Sequence, residues 1–538
     1  MQEYTINLEQ IEAEEDKTIE LPKNDKLISE FARQLVKKIT PNIKLFYRVK
    51  ADQIIKINSI KVMNDSEESY LGMVEVKPNA LIGLIEQYVI PGHYVFNQSN
   101  KEWEFKKKSI SMQLASTLLQ TDELKQGLPQ ITRVLHVPIP MRVNGKITFP
   151  KRGYDERFGT YLPFDAPVID KNMNINEAKQ ILEDIYSEFC FKTMPVDRDM
   201  AIAGLLTPFL RGLYPNYNDR TPAFIYMANT PGAGKDYCAG ITSILYEGVD
   251  IQDPPLAGGE KNTNSTQELR KKILASFMEG RPRIHFSNNI GHLHNPVLDE
   301  ILTSPTHSDR KLGHNTNIKL PNEMDYSLSA NTGFTYNPDL TRRIRFIRLF
   351  FEGERVTDRK FKERELHKWV LENRGKILSA LYSLVKDWEE KGSKEGSLSF
   401  SSFPSWDKLC GGIMENAGYM NPCEVDKDID ALAGDTETSD MKLLFELVNE
   451  VYPGKIATIN DIMQIAVTND LFTHLDIASD KPKDKAQFGK IITKYVGRVL
   501  SNIKLTITKP GIKPARQNYV FKKIEDWEIR DYLNEGVN

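Results

Sequence analysis

Cysteine is scarce in this chain: there are four, Cys190, Cys238, Cys410 and Cys423, with no paired spacing among them. That excludes a disulfide framework and a zinc ribbon and leaves buried or incidental thiols. Long hydrophobic runs are also missing, since none approaches the roughly 20 apolar residues that span a bilayer. No membrane partner is therefore expected. The first residues, MQEYTINLEQIEAEEDK, are acidic where a secretory or mitochondrial signal is basic, so the expected location is cytoplasmic. Nor is there an overall charge of one sign, because 71 Lys+Arg stand against 74 Asp+Glu for a net −3. Internal repeats and long low-complexity stretches are absent as well.

What is present is a folded, water-facing composition, 40% hydrophobic and 27% charged, over 538 residues. That length suits about three cores. Charge is uneven along the chain. Residues 1–30 carry nine acids and three lysines, whereas residues 480–523 carry twelve Lys+Arg against Asp480 and Asp484. The basic end is a candidate nucleic-acid surface.

Periodicity divides the chain further. An acidic flexible tail is expected over 1–24, then a mixed, strand-rich N-terminal domain over 25–165 that opens with a helix carrying Leu27, Ile28, Phe31, Leu35 and Val36. Short alternating strands such as KLFYRV, QIIKINSIKV and EWEFK follow. An α/β domain is expected over 166–433, where helical periods precede the buried strand Ala223–Ala228. The polar stretch GDTETSD at 434–440 reads as a linker, and 441–538 as a separate C-terminal module.

The sharpest motif lies directly after the buried strand: Asn229-Thr230-Pro231-Gly232-Ala233-Gly234-Lys235-Asp236, followed by Tyr237 and a helix-compatible stretch. A glycine turn between a strand and a helix N-terminus aims backbone N–H groups at one point, and the lysine adds a mobile positive charge for phosphate. ATP with Mg2+ is the expected cofactor, bound through 230–237. Asn229 replaces the usual first glycine and Asp236 the usual magnesium-binding hydroxyl. Asn tolerates left-handed backbone, and a carboxylate is a competent magnesium ligand.

A second apolar strand, at 284–289, ends in Asn288 and Asn289 where a P-loop ATPase normally carries acids. An amide orients water or aquated magnesium but accepts no proton, so Glu268, Asp299 and Asp236 are candidate sources of the acid. Asp236 and Asn288 are the expected metal positions. A third strand at 326–330 runs into Asn331, expected between the first two and placed to sense a terminal phosphate. Arg342 and Arg343 precede a further strand, from which an arginine reaches a neighbouring subunit's nucleotide. Residues 308–319 read as a hairpin, with Lys311, His314 and Lys319 as candidate DNA contacts. His292, His294 and His307 lack metal-ligand spacing.

In the C-terminal module, helices are expected over 459–467 and 484–500, the second with Phe488, Ile491, Ile492, Tyr495, Val496 and Leu500 on its apolar face and Lys490, Lys494 and Arg498 elsewhere. Strands at 505–508 and 519–521 complete a winged helix-turn-helix, in which the basic helix reads duplex DNA.

The order of these elements, together with GYDERFGTYLP at 153–163, LTSPTHSDRKLG at 302–313 and ENRGKILSALYSLVKDW at 372–388, resembles the AAA+ helicases of phages and mobile genetic elements. Similar families are the replication initiators (Rep) of staphylococcal pathogenicity islands and the MCM-like helicases of cassette chromosomes. The resemblance implies an α/β fold: a P-loop AAA+ ATPase core with a helical lid, a mixed α+β N-terminal domain and a C-terminal winged-helix domain. It places Lys235 on the phosphate-binding lysine, Asn288 and Asn289 on the second-strand magnesium and water positions, Asn331 on the sensor, and Arg342 or Arg343 on the arginine finger. It implies a channel hairpin at 309–319 and a second sensor at Arg374. The expected function is an ATP-dependent replicative helicase and origin-binding initiator of a mobile element, acting on DNA as a homo-hexameric ring. The alternative is an ATP-binding origin-recognition protein that does not unwind. A packaging motor would need a cluster of nuclease acids after the ATPase, which the basic C-terminus does not offer.

Overall fold

The computed structural model describes residues 17–23, 27–40, 44–62, 67–216, 218–256, 263–289, 292–293, 295–310, 317–331, 335–336, 338–352, 365–398, 402–424, 436–469, 471–472, 482–508 and 518–523. The chain divides into two compact units, one of Met1–Phe334 with Arg342–Glu424, the other of Thr335–Thr341 with Val425–Asn538.

The centre of the first unit is a parallel sheet of four strands: β1 (Ala223–Ala228), β2 (Arg283–Asn289), β3 (Asp325–Asn331) and β4 (Ile344–Leu349), in the order β2-β3-β1-β4. All six residues of β4 and five of the six in β1 are buried, as expected of strands covered on both faces. Asp253 makes an isolated parallel bridge to Phe286, which adds the beginning of a fifth strand outside β2. Helix α1 (Lys235–Glu247) follows β1, while Ile175–Tyr186 and Val196–Phe209 supply Leu182, Ile185, Leu205 and Phe209 to the core. Helix Arg374–Glu390 adds Leu378, Leu381 and Leu384 to the same core.

The N-terminal residues belong to this unit. Their first strand, Thr18–Glu20, pairs with Ile90–Gly92, and Ile19 and Leu21 are buried; this part of the expected tail is structured because apolar side chains alternate into a core. Helix Ile28–Ile39 buries Phe31, Ala32, Leu35 and Ile39, the period the sequence carries. Strands Leu45–Arg48, Gln53–Lys61 and Ser69–Glu75 form an antiparallel sheet. Two polar contacts tie this sheet to the α/β core. Arg48 donates to the carbonyls of Phe277 and Met278 at 2.9 and 2.8 Å, at the C-terminal end of helix Thr263–Glu279, and the Tyr70 hydroxyl donates to Glu279 at 2.8 Å. A guanidinium at that end also complements the helix dipole.

The second unit contains helices Thr436–Val451, Ile459–Thr468 and Pro482–Lys494. Its antiparallel sheet runs in the order Ile456–Thr458, Asn518–Lys523, Ile503–Thr508, Val499–Leu500. Thr458 and Asp461 form a reciprocal capping box. Two expectations change here. The helix from Thr436 takes in most of the expected linker at 434–440. The third helix ends at Lys494, not at 500, because the chain turns through Gly497 (φ 84°) into the strand Val499–Leu500. Arg498 therefore lies beyond that helix, with its guanidinium 5.2 Å from the Tyr495 ring centroid. Phe488, Ile491, Ile492 and Tyr495 are buried together as their spacing implies.

Candidate functional site

Because β1, β2 and β3 are parallel, their C-terminal ends share one edge of the sheet, and α1 starts at that edge, the usual place for a ligand in an open α/β sheet. Between β1 and α1 the chain turns through Gly232 (φ 84°) and Gly234 (φ 99°), the second being the N-cap of α1. A side chain at Gly234 has room, its Cβ standing 3.7 Å from Phe189; the left-handed backbone is what demands glycine there. Asn229 does something else. Its side chain exchanges two hydrogen bonds with the backbone of Phe351, at 2.9 and 2.8 Å, extending the pairing of β1 with β4. Pro231 and Gly232 are exposed, so the turn is open to solvent.

Inside the turn, Lys235 is 7% exposed. Its Nζ lies 2.5 Å from Asp236 Oδ2 and 2.9 Å from Asn288 Oδ1. The other Asp236 oxygen accepts from the Ser329 hydroxyl, and that hydroxyl oxygen accepts from the Asn288 backbone N–H at 2.9 Å. Three elements thus meet in one cluster: the start of α1 and the ends of β2 and β3. Asn288 holds φ 54°, next to an irregularity in the β2–β3 register between Phe286 and Asn289. Asparagine is one of the few non-glycine residues that adopt this left-handed conformation readily.

The two asparagines part company. Asn288 is exposed and faces the lysine. Asn289 is 2% exposed, and its amide is spent on backbone: Nδ2 donates to Phe286 and Ser329 carbonyls at 2.8 and 3.0 Å, and Oδ1 accepts from Leu256 N–H at 3.0 Å. It braces the end of β2. The side chain of Asn331 lies outside the described residues, although its backbone completes β3. Ser329 was not among the expected site residues, yet the signal is present: Ser327, Ser329 and Asn331 alternate along β3 and so share one face.

Arg374 is placed elsewhere. Its guanidinium donates to the carbonyls of Leu245 and Tyr246 at 2.8 and 3.0 Å, at the C-terminal end of α1. That is roughly 15 Å along the helix from Lys235. Burial lowers its pKa. Tyr237 stacks on His367, with ring centroids 3.7 Å apart beside the turn.

Of the remaining acids, Glu268 pairs with Lys271 at 2.6 Å on an exposed helix face, and Asp299 lies 3.5 Å from Arg343. Among the described residues, Asp236 is the carboxylate bonded within the cluster. Arg342 is exposed. The expected hairpin has strands Thr306–Arg310 and Asn317–Pro321 in antiparallel register; Lys319 is exposed on the second, while Lys311 and His314 lie outside the described residues. In the second unit Lys490 and Arg498 are exposed, and the Lys494 side chain lies outside the described residues. His307 is buried and stacked on Phe277, and among the described residues no three metal-ligating side chains gather. All four cysteines are free, and burial pushes the thiol of Cys423 up to about 12.

No protein-family model matches this chain, and no curated protein matches it. Among solved structures, the A form apo structure of the NrS-1 C-terminal region is similar at TM-score 0.37 and 12% identity, covering 83% of this chain and 100% of that one. The active helicase Cch of SCCmec type IV is similar at TM-score 0.31 and 10% identity, covering 88% of this chain and 94% of that one. Likenesses this weak carry no argument about function.

Proposed function

We propose that this chain is an ATP-hydrolysing motor of the P-loop AAA+ class that acts on DNA as a replicative helicase and recognises its own origin. The observation that carries this reading is the cluster of Lys235, Asp236, Asn288 and Ser329 at the C-terminal edge of a parallel sheet, under a glycine turn that opens a helix. An ammonium and helix-terminal N–H groups suit phosphate oxygens, with Thr230 to Tyr237 forming the cradle. The Asp236 carboxylate suits Mg2+, with Asn288 beside it. Bound there, Mg2+ would neutralise charge on the phosphate oxygens.

The chain's own residues then have distinct tasks. Lys235 holds the outer phosphates, exchanging its contacts with Asp236 and Asn288 for phosphate oxygen. Asn288 orients a water molecule through its amide, Ser329 fixes Asp236, and Asn331, at the tip of the strand between β1 and β2, senses the terminal phosphate. The finger for a neighbouring subunit is Arg342, which is exposed, or Arg343 beside Asp299. A finger acting in trans requires a ring, here a homo-hexamer. Lys319 and its hairpin face the translocated strand, and the basic helix Pro482–Lys494 in its winged-helix-like unit reads the origin duplex.

A second reading is an ATP-binding origin-recognition protein that does not unwind. It is favoured by Asn288, an amide where a proton acceptor would be needed. ATP-dependent strand displacement on a forked duplex separates the two. The helicase reading expects displacement by the parent protein and none by Lys235→Ala; a parent that binds ATP and duplex DNA without displacing a strand supports the second reading.

A further inference from the structure

The strands Ile90–Asn97 and Glu102–Lys107 form an antiparallel ribbon in the N-terminal part of the first unit. The only third strand paired to it among the described residues, Thr18–Glu20, covers just Ile90–Gly92, so the rest of the ribbon projects. Directly opposite pairs are Gly92 with Lys107, Tyr94 with Phe105, and Phe96 with Trp103. Side chains alternate across a strand, so all six positions share one face. That face carries four aromatic rings in two facing pairs, with centroids 5.2 Å apart for Tyr94 and Phe105 and 5.5 Å for Phe96 and Trp103.

These rings are not core. Tyr94 is 41%, Phe96 44% and Trp103 66% exposed. Gly92 keeps the base of the face open for Phe105, since a Cβ there would stand 2.6 Å from that ring. The same alternation sends Glu102, Glu104 and Lys106 to the opposite face, where Glu104 accepts hydrogen bonds from Asn97 and Asn100 at 2.6 and 2.9 Å. The aromatic face ends on Lys107, with Lys101 and Lys108 exposed at the ribbon's two ends. Glu20, beside Gly92, is held by Lys23 at 3.2 Å.

We propose that this ribbon is a stacking platform for single-stranded nucleic acid, bases lying on Trp103, Phe96 and Tyr94 while Lys101 and Lys107 meet the phosphates. Segregation of the acids to the other face is the charge complementarity that favours a polyanion. Base-on-aromatic stacking needs no particular sequence, so binding is sequence-tolerant. The inference deepens the reading of the chain as a DNA motor and rests on it for its biological sense, while its chemistry is separate from the Lys235 cluster.

The test titrates full-length protein with fluorescein-labelled oligo(dT) at fixed salt without nucleotide, reading anisotropy and tryptophan emission. The double variant Phe96→Ala/Trp103→Ala should bind roughly tenfold or more weakly, with Trp103→Ala alone intermediate. Trp103→Phe should stay within about threefold of the parent yet lose the tryptophan quenching expected of the parent on binding. Equal affinity for the parent and both alanine variants overturns the platform. So does a double variant that loses the parent's self-association while binding oligo(dT) equally, which would make the face a contact between copies. Lys235→Ala serves as the separating control: it should keep oligo(dT) affinity, so a failed platform and a failed nucleotide site give different results.

Discussion

Asn288, next to last in β2, holds a left-handed conformation, φ 54°, and puts its amide oxygen 2.9 Å from the Lys235 ammonium. Asparagine and aspartate both tolerate that backbone, so Asn288→Asp changes the chemistry without straining the chain. It adds a proton acceptor beside the lysine. ATP turnover measured by phosphate release should rise by on the order of a hundredfold if the missing base limits the parent; unchanged turnover would mean that the base is supplied by another residue. At this scale the sequence is informative about residue type and less so about direction. Lys235, Asp236 and Asn288 could be read from the turn and the strand end. Asn289 could not be told from Asn288, because a two-residue polar strand end says nothing about which amide turns inward. Ser329 was visible only as part of a period of two.

Elements carry the cluster. β2 contributes Asn288 at its tip and, three residues earlier, His285, which is 5% exposed and shares a 2.8 Å hydrogen bond with Ser327 of β3. Desolvation lowers the imidazole pKa to about 4, against 6.5 for the free side chain. Between those values the unfolded chain binds a proton that the folded one refuses, so stability is full above pH 6.5 and lost as pH falls toward 4. Urea unfolding should show about 2 kcal/mol less stability at about pH 5 than at about pH 7.5 from this group alone. His285→Gln should flatten that difference, and an equal pH dependence in both proteins would contradict the assignment. The strands and α1 were legible from apolar runs and glycine signals. Arg374 was not, because its carbonyl partners at Leu245 and Tyr246 are about 130 residues away in sequence. The helix Pro482–Lys494 ends early for a local reason, Gly497, which the continuing apolar period concealed.

Across the whole molecule, the sequence suggests a boundary near residue 165, where alternation gives way to helical periods. The structure instead keeps everything to Glu424, apart from Thr335–Thr341, in one compact unit. Arg48 and Tyr70 show why: each reaches helix Thr263–Glu279 over more than 200 residues of chain, and a lone arginine or tyrosine in a strand does not announce such a partner. The basic C-terminal unit was more legible, because its apolar faces and strand signals are local. Short helices such as Pro78–Glu86 and Met112–Leu118 were hidden among the strands they connect. The central claim, that the turn at 229–236 binds nucleotide phosphates, is tested most directly by calorimetric titration of ATP with Mg2+ into the parent and Lys235→Ala proteins. The account predicts binding by the parent and a loss of roughly a hundredfold or more in affinity for Lys235→Ala; equal affinity in the two proteins would contradict it.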